Sequence, residues 1–258
     1  MSEIFTKCLF DTIIQTLLIN LIEIMSNKKT IKNVLILLIA ILVIGGVYWF
    51  SDQKGEEVQK KDLIASMTEF KALNRDLDPD SVDRYYEDFT KNKNFFLENL
   101  ANPALAFQSL NKMALYKKLV ADYWGAEEIW LYTADLEPNS YLVNGNLANI
   151  YHYSLPDYPK AETYYLKALG VEDIASGNHY TYFSDLYTLY KFQMDDQAKA
   201  IAILERGMSE LPEDINIVLL TAKYYKDTDN TEQARYYYNE ALKINPNSVV
   251  AKDGLKNL

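Results

Sequence analysis

The sequence is poor in the residues on which most catalytic and metal chemistry rests. Its one cysteine, Cys8, has no partner for an internal disulfide and no second thiol for a CxxC zinc or iron–sulfur site. Histidine occurs twice, at His152 and His179, which leaves little for acid–base catalysis or metal ligation. The 9 glycines are isolated apart from Gly45-Gly46, so no glycine-rich loop can cradle a phosphate. No GxSxG, HExxH, GxGxxG, Walker-type or EF-hand pattern occurs. The acidic pairs Glu127-Glu128 and Asp195-Asp196 fall in or beside turns, where carboxylates favour helix N-termini, and read as solvated surface. These absences predict a protein that is not an enzyme and carries no cofactor or metal. Positive charge is short as well: 26 basic against 36 acidic side chains give a net charge of -10, which repels phosphate backbones and argues against nucleic acid as a partner.

What is present is apolar and aromatic. Hydrophobic residues make up 49% of the 258, and 21 Tyr stand beside 10 Phe and 3 Trp, a large supply of rigid amphipathic rings for helix packing and binding surfaces. From Val34 to Phe50 the chain reads VLILLIAILVIGGVYWF without a charge. At about 1.5 Å per residue, a helix over residues 31–50 covers roughly 26–30 Å, the thickness of a bilayer's hydrocarbon core. Tyr48 and Trp49 then fall at an interface, where such rings collect. The run lacks a small-x-small cleavage site and no Cys follows it, so it reads as an uncleaved anchor rather than a signal peptide. Lys28, Lys29 and Lys32 directly precede it, which by proximity favours a cytoplasmic N-terminus and an extracytoplasmic domain. Within the N-terminal segment 1–30, the stretch Thr12–Ile24 reads either as an interfacial helix or as residues upstream of a true start at Met25.

Beyond Phe50 the apolar residues recur at helical i, i+3, i+4 spacing, which predicts an all-α chain. Residues 51–106 read as linker and N-terminal helices: one over Lys54–Leu77, and a second capped by Ser81 and ending near Asn102-Pro103. The rest repeats. LEPNS at Leu136–Ser140, LPED at Leu211–Asp214 and INPNS at Ile244–Ser248 close similar units, with Pro212 and Pro246 lying 34 residues apart. Small and large residues recur within the units, as in Leu147, Ala148, Tyr151, Ala161, Tyr165 and Ala168, and again in Ala222, Tyr225, Ala234, Tyr238 and Ala241. Alanine suits the closest approach of two helices, the aromatic fills the space towards the next pair, and proline ends the second helix.

In these residues the sequence resembles the tetratricopeptide repeat family over residues 107–258. The resemblance implies an α-solenoid of about four helix-turn-helix repeats. The second and third carry an extra turn residue, EDIASGNHY at 172–180 lies between them as an insertion, and a C-terminal helix covers the open end with Val249, Val250 and Leu255. It also implies a concave face lined by the first helix of each repeat, where a protein or peptide binds. The repeat phase places Asn146, Asn149, His152, Tyr153, Lys191, Lys223 and Lys226 on that face. Its lysines suit an acidic peptide segment or a C-terminal carboxylate, and a solvated helix face is the plain alternative. Some family members clamp a terminal carboxylate with Lys and Asn on successive first helices. Here the corresponding second-repeat positions hold Gly145 and Asn149, so that clamp is incomplete.

Together these expectations describe a single-pass membrane protein whose repeat domain acts as an interaction scaffold. Three other readings stay open: the opposite orientation as a cytoplasmic adaptor for envelope assembly, a small-molecule-binding or enzymatic role for residues 53–106, and self-association of the repeats into a homo-oligomer.

Overall fold

The computed structural model describes residues 55–171 and 176–258, together with residues 41, 42, 45, 46, 49 and 52. The N-terminal segment 1–30 and most of the expected anchor at 31–50 lie outside the described residues. Among those described, no helix is long and apolar enough to cross a membrane. The chain separates into two compact units, residues 1–66 and 67–258.

Residues 55–68 are helical, and the helix expected to run on to Leu77 stops there. The backbone leaves it to meet the repeat domain: the amides of Leu73 and Asn74 both donate to the Val120 carbonyl, at 2.8 and 2.9 Å. Phe70 packs on Phe89, with ring centroids 5.1 Å apart. Helix α1 (Pro79–Glu98) is capped by Asp78, whose carboxylate accepts from the Ser81 amide at 2.8 Å. Ser81, expected as the cap, lies inside the first turn, because Pro79 takes the first helical position that its fixed φ suits.

Four antiparallel hairpins follow: α2 (Phe107–Leu119) with α3 (Tyr123–Leu136), α4 (Tyr141–Tyr153) with α5 (Tyr158–Leu169), α6 (Ser176–Thr188) with α7 (Gln197–Glu210), and α8 (Ile215–Asp227) with α9 (Thr231–Ile244). Helix α10 (Val249–Lys256) ends the series. None of the described residues forms a strand. Each second helix starts under a side-chain cap, Asp122, Asp157, Asp196 or Asn230, which accepts from the amide three residues on. Four residues past each cap stands a fully buried alanine, Ala126, Ala161, Ala200 or Ala234, where the two helices of a pair come closest. Eight past it, Trp130, Tyr165, Leu204 and Tyr238 fill the space between pairs.

The extra residues of the second and third repeats show in the turns. The Asp122 and Asn230 amides reach back five residues, to the carbonyls of Lys117 and Tyr225, whereas those of Asp157 and Asp196 reach back six, to Tyr151 and Tyr190. In the third repeat a π-helical turn over Leu189–Gln193 takes up the surplus at the end of α6. The expected insertion is also smaller than its sequence suggested, since residues 176–180 form the first turns of α6.

Helix α10 turns inward through Ala251 and Gly254, while Val249 and Val250, expected to cover the end of the stack, are exposed. Closeness to α9 imposes this choice. A Cβ on Gly254 would lie 2.3 Å from the Tyr238 ring, so only the smallest residue fits at that crossing.

Candidate functional site

The first helices α2, α4, α6 and α8 are joined to one another by a chain of polar side-chain links. Lys118 of α2 donates to the Asn149 side-chain carbonyl of α4. The Tyr153 hydroxyl, at the end of α4, donates to Asp185 of α6 at 3.1 Å. Lys191, in the π turn that continues α6, donates to Asp227 of α8 at 2.9 Å, and Lys223 donates to the same oxygen at 2.9 Å. The links from Lys118, Tyr153 and Lys191 each cross from one repeat to the next, so together they trace one face of the array.

Packing sets the register of that face. On the side towards the second helices, the Tyr151 hydroxyl donates to Glu127 of α3 and the Tyr190 hydroxyl to Glu162 of α5, the latter at 2.9 Å. Burial and the Glu127 carboxylate push the Tyr151 phenol well above its usual range. In the first repeat the same position is Lys117, buried and paired with Asp122. Two residues beyond Lys117, Tyr151 and Tyr190, the helices turn outward, and Leu119, Tyr153 and Phe192 stand exposed there, Tyr153 by 52% and Phe192 by 64%. Leu115, one turn before Leu119, is exposed as well. The polar links therefore run beside a ribbon of uncovered apolar side chains.

Charge separates between the two kinds of helix. The first helices and the π turn carry Lys112, Lys117, Lys118, Lys191, Lys223 and Lys226 against only Asp185 and Asp227, whereas α3 carries Glu127, Glu128 and Asp135 with no base and α7 and α9 are balanced. Burial pushes the Asp185 carboxyl above its ordinary value, despite the hydrogen bond from Tyr153 and the nearness of His152. Burial likewise lowers the Lys118 and His152 pKa values. For Asp227 burial alone would raise the carboxyl, yet the hydrogen bonds from Lys223 and Lys191 hold it below the usual range. Lys191 lies among three rings, 5.6 Å from Tyr187, 5.2 Å from Phe192 and 5.8 Å from Tyr224.

Of the residues that the sequence placed on this face, Asn149, Tyr153, Lys191 and Lys223 all take part in the links just described. His152 does not present itself to a partner: it is buried, with Nδ1 3.2 Å from the Tyr165 hydroxyl. Asn146 and Lys226 are half-buried on α4 and α8. The expected field of free lysines is partly neutralised within the protein, because Asp227 engages both Lys191 and Lys223. Gly145 has its own explanation, since a Cβ there would lie 2.3 Å from the Tyr182 ring of the next repeat. Sequence reasoning missed Lys118, Asp185, Asp227 and the ribbon of Leu115, Leu119 and Phe192. Leu119 and Phe192 were open to discovery by counting two residues on from Lys117 and Tyr190, as Tyr153 follows Tyr151.

Two surface clefts, of about 580 and 410 Å³, lie between successive second helices, the first lined by Met208, Val218, Tyr236 and Ile244 and the second by Leu131, Tyr151 and Tyr164. Among the described residues no group of three or more His, Cys, Asp or Glu could hold a metal ion.

Residues 219–248 match the family model described as tetratricopeptide repeat. No curated protein matches the chain. In fold the chain is similar to BtubC from P. vanneervenii, with 13% identity and a TM-score of 0.50 over 65% of this chain and 73% of that one. It is also similar to YrrB, described as a TPR protein with an unusual peptide-binding site, at 17% identity and a TM-score of 0.46 over 65% of this chain and 79% of that one. A third likeness is to a chain of the APC/C hetero-tetramer Cut9-Hcn1, at 18% identity and a TM-score of 0.43; it covers 60% of this chain and 32% of that one, so the present chain spans about a third of its length.

Proposed function

We propose that the chain, whose residues 219–248 match the tetratricopeptide repeat model, is an interaction scaffold of that family whose first-helix face takes a segment of another protein. The observation that carries this reading is that Leu119, Tyr153 and Phe192 sit exposed at matching places where three successive first helices end, with Leu115 exposed one turn before Leu119. Exposed apolar side chains in register on neighbouring helices, with polar groups beside them, suit a protein-binding surface. Capture experiments with the full-length chain test it. Replacing Tyr153 and Phe192 together by Ala removes the specifically bound protein, whereas a partner retained in full by that variant rules this face out.

The second part of the proposal concerns the membrane. The uncharged run Val34–Phe50 supports one spanning helix, and the lysines before it support a cytoplasmic N-terminus with the repeat domain on the far side. A tether confines the scaffold near the bilayer and raises its effective concentration towards partners there, so modest contacts suffice. Protease added to intact spheroplasts separates the two orientations: an extracytoplasmic domain is digested, and protection until lysis places it in the cytoplasm.

A further inference from the structure

At the junction of the third and fourth repeats, one carboxylate is held by lysines from two sources. Lys191, from the π turn after α6, and Lys223, from the middle of α8, both reach the same Asp227 oxygen at 2.9 Å. The two lysines are differently placed. The Lys191 side chain is only 11% exposed and is fixed by the rings around it, whereas the Lys223 side chain is 62% exposed and free to follow a different carboxylate. Phe192, directly beside Lys191 in the chain, is the most exposed member of the apolar ribbon. A fixed cation, a mobile cation and an uncovered ring thus surround a carboxylate that the chain supplies itself.

We propose that this is a carboxylate seat, filled by Asp227 in the free protein, and that the partner segment enters it with an Asp or Glu side chain while a neighbouring apolar residue of the segment covers Phe192. The inference rests on the first-helix face being the partner-binding surface and specifies the chemistry of what binds there. Charge complementarity selects this occupant. The first helices carry a surplus of lysine within a chain of net charge -10, so an acidic segment is attracted to this face and repelled by the rest of the molecule. Exchanging one carboxylate for another gains little in ion pairing by itself, since Asp227 is tethered and always present. The gain comes from Phe192, whose ring leaves water only when a partner lies over it. Asp227 therefore acts as a built-in competitor, admitting segments that bring an acid and an apolar side chain together.

The test is fluorescence anisotropy with full-length protein in mild detergent and two fluorescein-labelled nonapeptide pools, acetylated and amidated so that no terminal charge remains. Both pools hold random apolar residues, interleaved with Glu and Asp in one and with Gln and Asn in the other. The acidic pool is expected to bind about tenfold more tightly at low salt, with the advantage fading as salt rises. Lys223→Gln, at an exposed position that leaves the fold intact, abolishes the advantage. Asp227→Asn vacates the seat and strengthens the acidic pool by about tenfold while leaving the neutral pool unchanged. Equal binding of the two pools, or an acidic pool indifferent to Asp227→Asn, overturns the seat. If binding of the neutral pool is then still lost in Phe192→Ala, the face itself stands; if neither pool binds the parent or the Asp227→Asn protein, both readings fall.

Discussion

The Lys117 ammonium lies 2.8 Å from the Asp122 carboxylate, and the two side chains are 2% and 9% exposed. The pair holds the turn of the first repeat in place of the tyrosine that the second, third and fourth repeats carry at Tyr151, Tyr190 and Tyr225. Asp122 is also the N-cap of α3, accepting from the Gly125 amide at 3.1 Å, so its charge is tied to the start of that helix. Removing only the cation leaves a buried carboxylate uncompensated. Lys117→Met should therefore destabilise the domain by about 3–5 kcal/mol in urea unfolding. The double variant Lys117→Met with Asp122→Asn should recover part of that loss, because Asn still caps the helix and carries no charge.

Gly145 allows the second and third repeats to approach. A Cβ on it would lie 2.3 Å from the Tyr182 ring, which is itself buried and donates to the Tyr141 carbonyl at 3.3 Å. Gly145→Ala should cost about 1–3 kcal/mol through overpacking, despite the better helix propensity of alanine. Pairing it with Tyr182→Leu should relieve most of the clash. A Gly145→Ala protein that melts above the parent would show that the two helices are further apart than described.

The alanines at the helix crossings make a similar claim at a different place. Ala148 and Ala222 are fully buried in α4 and α8, and Leu at either position should lower stability by about 1–3 kcal/mol. The third repeat differs, with Tyr187 at the equivalent position, packed edge-on against Tyr224 at 6.2 Å between centroids. Tyr187→Ala should accordingly destabilise rather than relieve the fold, by leaving a cavity. Thermal melts of the three variants check the repeat phase together.

Acid should loosen the middle of the array through His152. Burial lowers its pKa below the ordinary 6.5, so the unfolded chain binds the proton more readily than the folded one. Stability from this group is complete above about pH 6.5 and falls as pH drops below that value. Asp185, close by on α6, acts in the opposite sense. Its raised pKa means that the folded protein holds that proton more tightly, so its contribution declines as pH rises through the raised value. His152→Gln should flatten the acid limb of the stability profile, and Asp185→Asn should steepen it. The readout is urea unfolding between pH 4.5 and 7.5, a range chosen to bracket the 6.5 value.

The repeat architecture was legible because packing repeats its demands: Ala126, Ala161, Ala200 and Ala234 where helices touch, and a large side chain, Trp130, Tyr165, Leu204 or Tyr238, where pairs meet. The candidate face was legible only in its register. Asn149, Tyr153, Lys191 and Lys223 followed from phase, but nothing local signals that Lys191 meets Asp227 across 36 residues of chain. His152 was misjudged as a groove residue because its helical position suggests exposure, whereas the Tyr165 ring packs edge-on against it at 5.9 Å. Val249 and Val250 misled for the opposite reason. Their hydrophobicity suggested burial, and the small residues Ala251 and Gly254 took the interface because α10 lies so close to α9.

The central claim is that another protein lies along the first helices, and site-specific photocrosslinking in native membranes tests it most directly. A photoreactive side chain is placed in turn at Leu119, Tyr153 and Phe192 on the first-helix face and at Glu205 and Arg235 on the second helices. The account predicts one shared adduct from the first three positions and none from the other two. Adducts confined to Glu205 and Arg235, or no adduct from any of the three, would contradict it.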